Sequence, residues 1–279
     1  MASLVWGCCR LIGAMPHWLR YYVLQDTIYF IVYKCLRYRV GVVTENLRNS
    51  FPDRPMAEIT RIRRSFYHNL SEIFISTVSQ AAMSDDDCRR RVRVKNLDEV
   101  LSDLRGRDAL LYTGEHYLAA VYHPLENKVI DAVYMRLRRR RNIRLIPMKE
   151  IIRYYIDHRL PAGAPGQRIG IGLIADQNPP LRPNSHWFRF LNQDTVFFDG
   201  IEKMALKFHM PVYFCRQRRL RRGYYELEFL RLYDGVEQVA PNEVTERYVR
   251  QLESDIVADP GMWLWSHRRW KHRRPQCPS

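Results

Sequence analysis

Residues 109–122 read ALLYTGEHYLAAVY, and the meaning given to these positions decides the fold. Ala109 to Thr113 is a short apolar run closed by Gly114, the composition of a buried strand. Glu115 and His116 come next, and Tyr117 to Tyr122 then reads as a second apolar strand, only three residues after the first. Parallel neighbours need a crossover of about a dozen residues or more, usually a helix. The expectation is therefore a helix lost from between these two strands by deletion.

On either side, short apolar runs alternate with helical patterns. Val92 to Val94, Ala109 to Thr113 and Ile169 to Ala175 read as strands, with helices over Leu97 to Leu104 and Lys149 to Arg159 between them. Val212 to Cys215 and Tyr224 to Leu230 are predicted strands joined by a basic turn, Arg216 to Gly223. Two longer helices frame the set. Ile59, Ile62, Phe66, Leu70, Ile73 and Val78 form a core-facing stripe over Pro55 to Gln80, and Val244, Tyr248, Leu252 and Ile256 form another over Glu243 to Ala258. This order predicts an α/β domain with a mostly parallel or mixed sheet flanked by helices, over residues 51–279.

Residues 1–50 read as a membrane-associating helical region. Trp6, Trp18, Tyr21, Tyr22, Phe30 and other apolar side chains are interrupted by Arg10, Arg20, Gln25, Asp26 and Lys34, so no run of about twenty apolar residues spans a bilayer. No small-residue cleavage site marks a removed signal peptide. An amphipathic helix in the headgroup layer fits this pattern, and a helical hairpin packed on the domain's own core is the alternative.

Composition narrows the partners. The 279 residues carry 45 Lys and Arg against 30 Asp and Glu, a formal net charge of +15, and 46% of the chain is hydrophobic. An anionic partner follows, whether nucleic acid, membrane surface, lipid phosphate or acidic carrier protein. Cys8, Cys9, Cys35, Cys88, Cys215 and Cys277 show no CxxC spacing, so neither zinc nor a disulfide framework is expected. No GxSxG elbow marks a serine hydrolase, and Gly163, Gly166, Gly170 and Gly172 do not form a phosphate loop. The basic residues are dispersed and accompany an apolar N-terminus, which argues against a nucleic-acid-binding protein.

Five stretches carry a family resemblance: VTENLRNSFPD (Val43 to Asp53), YHPLENKVIDAVYMRLR (Tyr122 to Arg138), IGLIADQ (Ile171 to Gln177), WFRFLNQDTVFFDGIEKM (Trp187 to Met204) and MWLWSHRRWKHRR (Met262 to Arg274). In this order they resemble the lipid A biosynthesis acyltransferases, the late lauroyl/myristoyl-type family that adds secondary acyl chains, and particularly its Bacteroidetes-type branch. The resemblance implies transfer of an acyl group from an acyl carrier protein or coenzyme A thioester to a lipid hydroxyl. It implies no metal and no cofactor beyond that donor, with membrane lipids as partners and the cytoplasmic face of a bacterial inner membrane as the location.

The family's His-x-x-x-x-Glu/Asp motif follows a strand. Its imidazole accepts the proton of the attacking hydroxyl, and the carboxylate one helical turn away orients it. His116 stands where that histidine falls, yet the residue five positions on is Val121, and neither Glu115 nor Glu126 has the helical spacing. The resemblance assigns substrate contacts to Asn127, Asp131 and Arg138 on one helix face. Arg138 begins the run Arg138 to Arg141, which suits a phosphate but also a solvated helix end. His123 stands where relatives more often carry arginine. Asp176 and Gln177 follow a predicted strand, and strand ends are where open α/β sheets bind ligands. Asn192 to Thr195 with Phe197, Phe198, Asp199 and Gly200 resemble the family's substrate-facing loop. The two phenylalanines line an acyl channel or pack in the core. The C-terminal Trp263, Trp265, His267, Arg268, Arg269, Trp270 and Lys271 mix indole and cation as a lipid interface does.

Overall fold

Strand β2 (Ala109–Thr113) lies between β8 (Val212–Arg221) and β5 (Gly170–Ile174) and is parallel to both. The computed structural model, which describes residues 1–104, 107–113, 121–122, 128–139, 145–159 and 169–274, completes this sheet with β9 (Tyr224–Tyr233) and β1 (Val92–Val94) in the order β1-β9-β8-β2-β5. Only β8 and β9 run antiparallel, so the sheet is mixed. Asp108 fixes its register at one end: the carboxylate accepts from Tyr155 Oη at 3.0 Å and from the Ile169 amide at 2.8 Å, holding the starts of β2 and β5 side by side.

Chain contacts gather into two compact units. The first comprises Met1–Ala14, Ser79–Ala175 and Asp199–Thr245, and the second Met15–Val78, Asp176–Phe198 and Glu246–Ser279. In the first unit Val100 of α6 (Leu97–Asp103) joins Tyr213, Cys215, Leu227 and Phe229 from β8 and β9 in one apolar cluster. The Cys215 thiol is buried there and pushed up to about 12. Helix α1 (Ala2–Ala14) closes on the chain after Val78 at Gly13, where a Cβ would stand 2.6 Å from the Ser79 carbonyl oxygen. Trp6 of α1 lies under the Arg136 guanidinium, 4.2 Å from its carbon, on α7 (Lys128–Arg139).

The basic turn expected over Arg216 to Gly223 is instead strand. β8 runs to Arg221, and the turn is confined to Arg222 and Gly223. The reason is cross-strand charge: Arg216 pairs in register with Glu228 and Arg218 with Glu226, so the arginines are matched from β9 rather than repelled into a loop. Lys95 and Arg216 hold the Glu228 carboxyl below its ordinary value, Lys95 contributing more.

The strand expected over Tyr117 to Tyr122 is described at Val121–Tyr122, as β3, but it does not join the sheet of β2. It pairs in parallel with β4 (Ile146–Pro147) in a ladder of its own. Among the described residues β2 and β3 are therefore not sheet neighbours.

The second unit is built on α4 (Met56–Ser79). Ile59, Ile62 and Phe66 are buried as their spacing predicts, but further on the buried face passes to Asn69, Ser71, Glu72 and Ile75, while Leu70, Ile73 and Val78 are half-buried. Helix α3 (Val40–Ser50) turns Val43, Asn46, Leu47 and Ser50 inward. Strands β6 (Trp187–Phe190) and β7 (Gln193–Val196) make a hairpin whose two turn residues, Leu191 and Asn192, have φ of 48° and 62°. A pair of positive φ values is the signature of the tight turn whose twist matches its strands.

Helix α10 (Glu243–Ala258) starts on a buried carboxylate. Glu202, on α9 (Gly200–Phe208), accepts from the Asn242 amide at 2.6 Å and from the Thr245 amide and hydroxyl at 2.8 and 2.6 Å. Three donors on one buried carboxylate satisfy the amides that a helix start leaves open. Glu202→Gln turns one acceptor into a donor facing donors. It should lower stability by about 1–3 kcal/mol, seen as a lower urea midpoint at unchanged slope. An unmoved midpoint refutes the capping role.

Candidate functional site

In the second unit the best-defined polar centre surrounds two buried charges, Asp176 and Arg269. Arg269 is 3% exposed; Nη1 donates to Asn178 Oδ1 at 3.0 Å, and Nη2 donates to the Val196 carbonyl at 2.6 Å. The guanidinium carbon lies 4.5 Å from the Phe197 ring centroid. Burial lowers the Arg269 pKa to about 10, and Asp176 works in the opposite direction. Asp176 is itself buried, and its Oδ2 accepts from Trp263 Nε1 at 3.2 Å. Burial raises its carboxyl above the ordinary value, more than Arg269 and the Trp263 hydrogen bond lower it. The other carboxylate oxygen, Oδ1, and Arg269 Nε are buried without a hydrogen-bond partner among the described residues.

Chain ends and turns supply the rest of this centre. The Asn178 amide points at His267 Nε2 at 3.4 Å, and burial, with Arg269, Arg39 and Lys271, depresses the imidazole's pKa. The His267 carbonyl accepts from Asn46 Nδ2 at 3.0 Å, and the Trp265 carbonyl from the same group at 2.8 Å. Trp270 Nε1 donates to Thr195 Oγ1 at 2.8 Å. Asn192 Nδ2 reaches the Ser50 carbonyl at 3.0 Å, and Gln193 Nε2 reaches Ser50 Oγ at 3.3 Å. Four of the five stretches that carry the family resemblance thus meet in one network: the α3 stretch, the Asp176 stretch, the β6–β7 hairpin and the C-terminal stretch.

This arrangement corrects two expectations. Trp263, Trp265 and Arg269 are 8%, 0% and 3% exposed, so these side chains of the C-terminal aromatic and basic stretch are core rather than lipid interface, while Arg268, Lys271, Arg273 and Arg274 face water. Indole and guanidinium find their partners on Asp176, Asn178, Thr195 and Val196, which an interface would have left to water and headgroups. Asn192 to Thr195 are hairpin turn and strand, tied by side chains to Ser50, and Phe197 is 4% exposed with its ring edge against Phe190 and Tyr248. Between acyl channel and core, Phe197 is core.

The other site residues stand as follows. Gln177 is half-buried beside Asp176 in sequence. Asp131 is half-buried on α7, the helix that also carries Arg138. Gly200 opens α9, exposed, and a Cβ there would meet nothing within 4 Å, so packing does not require glycine. His116, Asn127 and His123 lie outside the described residues. In sequence, His116 follows Thr113, the last residue of β2, by three positions. Residues the sequence reading did not single out as a site are Asn178, Trp263 and Arg269 acting together. No spacing signals them, because their partners are 87 and 91 positions away along the chain.

A carboxyl with one oxygen uncommitted and its pKa raised by burial can hold a proton at higher pH than an exposed aspartate. The folded protein then keeps that proton to higher pH than the unfolded chain does. Stability is full below the ordinary aspartate value of 3.8 and falls as pH rises through the raised folded value. Asp176→Asn cannot ionise and should abolish that fall, so its melting midpoint relative to the unsubstituted protein rises between about pH 4 and about pH 7. Parallel melting curves at both pH values would contradict a raised carboxyl.

Comparison with curated proteins found no match. The profile of the bacterial lipid A biosynthesis acyltransferase family, however, matches residues 1–272, nearly the entire chain. With that match over both units, the chain belongs to the bacterial lipid A biosynthesis acyltransferase family.

Proposed function

We propose that this protein transfers an acyl chain from an acyl carrier protein or coenzyme A thioester to a hydroxyl of a lipid A precursor or related membrane lipid, at the cytoplasmic face of the bacterial inner membrane. The observation that carries the reading is the family match over residues 1–272. The order and spread of the five stretches support its Bacteroidetes-type branch. His116 is the base that takes the hydroxyl proton as the oxygen attacks the thioester carbonyl. Asn127, Asp131, Arg138, Asp176, Gln177 and Gly200 are the positions proposed to bind substrate. No cofactor is required, since the thioester brings its own leaving group. The acidic carrier protein suits a chain of net charge +15.

Membrane residence rests on an inverted helix. Between Leu19 and Cys35 the helical backbone widens into π-turns on both sides of α2 (Gln25–Tyr29). Arg20, Gln25 and Tyr33 are buried on it, while Trp18, Tyr22, Phe30 and Ile31 are 61%, 55%, 58% and 44% exposed. Apolar side chains outward and polar ones inward is the reverse of a water-facing helix and marks a surface meant for another medium. Among the described residues no helix is long and apolar enough to cross a membrane, so residues 1–50 are proposed to associate with the surface. Exchanging Trp18 and Phe30 for Ser should weaken flotation with liposomes by roughly tenfold per side chain, from about 1.5 kcal/mol of lost burial each. Equal flotation would remove the anchor.

A second reading, an inactive family member that binds lipid or carrier protein, is favoured by one observation: Val121 stands five positions after His116, where the orienting carboxylate belongs. An acyl-transfer assay with a carrier thioester and lipid A precursor, run beside His116→Ala, separates the two. Transfer that falls by about 10²–10⁴-fold in the variant establishes the base. Folded, lipid-binding protein with no transfer establishes the inactive member.

A further inference from the structure

On the outer face of α3 lies a cleft of about 970 Å³ that the proposed reaction does not use. Arg37, Gly41, Thr44, Glu45, Arg48, Asn49 and Arg54 line it, so three guanidiniums face a single carboxylate. Arg54 is already engaged: Nη1 bonds Glu58 at 3.1 Å and the group lies over the Phe51 ring at 4.3 Å. Arg37 and Arg48 are exposed and stand in no ion pair among the described residues. Arg37 reaches the cleft from a backbone held at φ 49°, and Arg39 two positions on is at 51°, a conformation that glycine, not arginine, adopts readily. The first turn of α3 lacks a side-chain cap, and a Cβ on Gly41 would meet nothing within 4 Å.

The surroundings distinguish lipid from water. Leu36 and Tyr38, on either side of Arg37, are 69% and 44% exposed, and Met56 on the rim is 50% exposed. Two uncommitted arginines on one cleft, Arg37 just before α3 and Arg48 in its last turn, with exposed apolar side chains beside Arg37 and at the rim, match a phosphate whose carrier is a hydrocarbon. We propose that this cleft binds the phosphate of an anionic phospholipid headgroup, with Arg37 and Arg48 as its ligands, and that it fixes how the protein sits on the membrane. The inference rests on the membrane reading above but not on catalysis.

The test compares binding to phosphatidylcholine vesicles with and without phosphatidylglycerol. The full chain should prefer the anionic vesicles. Arg37→Gln with Arg48→Gln should lose about twenty-five-fold in that partitioning, roughly fivefold per arginine, with no loss on phosphatidylcholine alone. Asn49→Glu, which adds a carboxylate to the cleft and leaves both arginines, should reproduce the loss. Arg89→Gln with Arg90→Gln removes the same charge from α5 (Asp85–Arg91) and should keep the preference. An equal loss in that control reduces the effect to net charge and overturns the site. Inorganic phosphate or glycerol 3-phosphate that competes at low millimolar concentration makes the ligand a soluble ester, and overturns the lipid assignment. Absence of any anionic preference overturns it too. Protein that prefers anionic vesicles through the cleft yet transfers no acyl group upholds this inference while the catalytic reading fails.

Discussion

A guanidinium taken out of water must have its charge and its donors answered, and Arg269 sets that demand at the centre of the second unit. Leaving such a charge unanswered costs several kcal/mol, more than one surface contact returns. Asn178, Val196, Phe197 and Asp176 meet the demand from two separate pieces of chain. Asp176 in turn needs Trp263, and Trp263 is held by its neighbours Phe190, Trp265 and Trp270. The hairpin turn at Leu191 and Asn192, an uncommon conformation for leucine, is tolerated because the Leu191 amide donates to Glu253 at 2.6 Å and Asn192 holds Ser50. Each tie shares a partner with the next, so the network is expected to respond cooperatively rather than bond by bond.

Much of the sheet was legible because strand and helix patterns are local. Val92 to Val94, Ala109 to Thr113 and the helix from Glu243 are where their patterns put them. β8 was read short because four arginines in six residues look like a solvated turn, and the glutamates that match them come from the next strand. Trp263 and Arg269 look like interface in the sequence for a related reason. Composition records which groups are present and says nothing of acceptors some seventy to ninety positions away. The rule about strand ends points to Asp176 but says nothing of its burial or its indole partner. The His116 spacing was legible at once, whereas the strand partner of Val121 was visible only in three dimensions.

The same motif residues therefore carry two kinds of meaning. Asn46 sits in the α3 stretch, and its side chain holds the carbonyls of Trp265 and His267. A family signature at that position reports architecture, the fastening of a C-terminal segment, rather than contact with a substrate. At Gly200, by contrast, nothing in the packing asks for glycine. Sorting a motif by what its side chains touch separates the scaffold of this family from its chemistry.

Each unit is assembled from three stretches of chain, and the last stretch of the second begins at Glu246. During synthesis the segment containing Trp265 and Arg269 therefore leaves the ribosome after the other two stretches of its unit. Until then the partners of Arg269 have no cation to gather around, and this unit cannot close. The outward apolar face from Trp18 to Ile31 has no such dependence. It needs the chain only as far as α4, to which Tyr21 and Gln25 bond, so that face can form before the stretch carrying Arg269 is made.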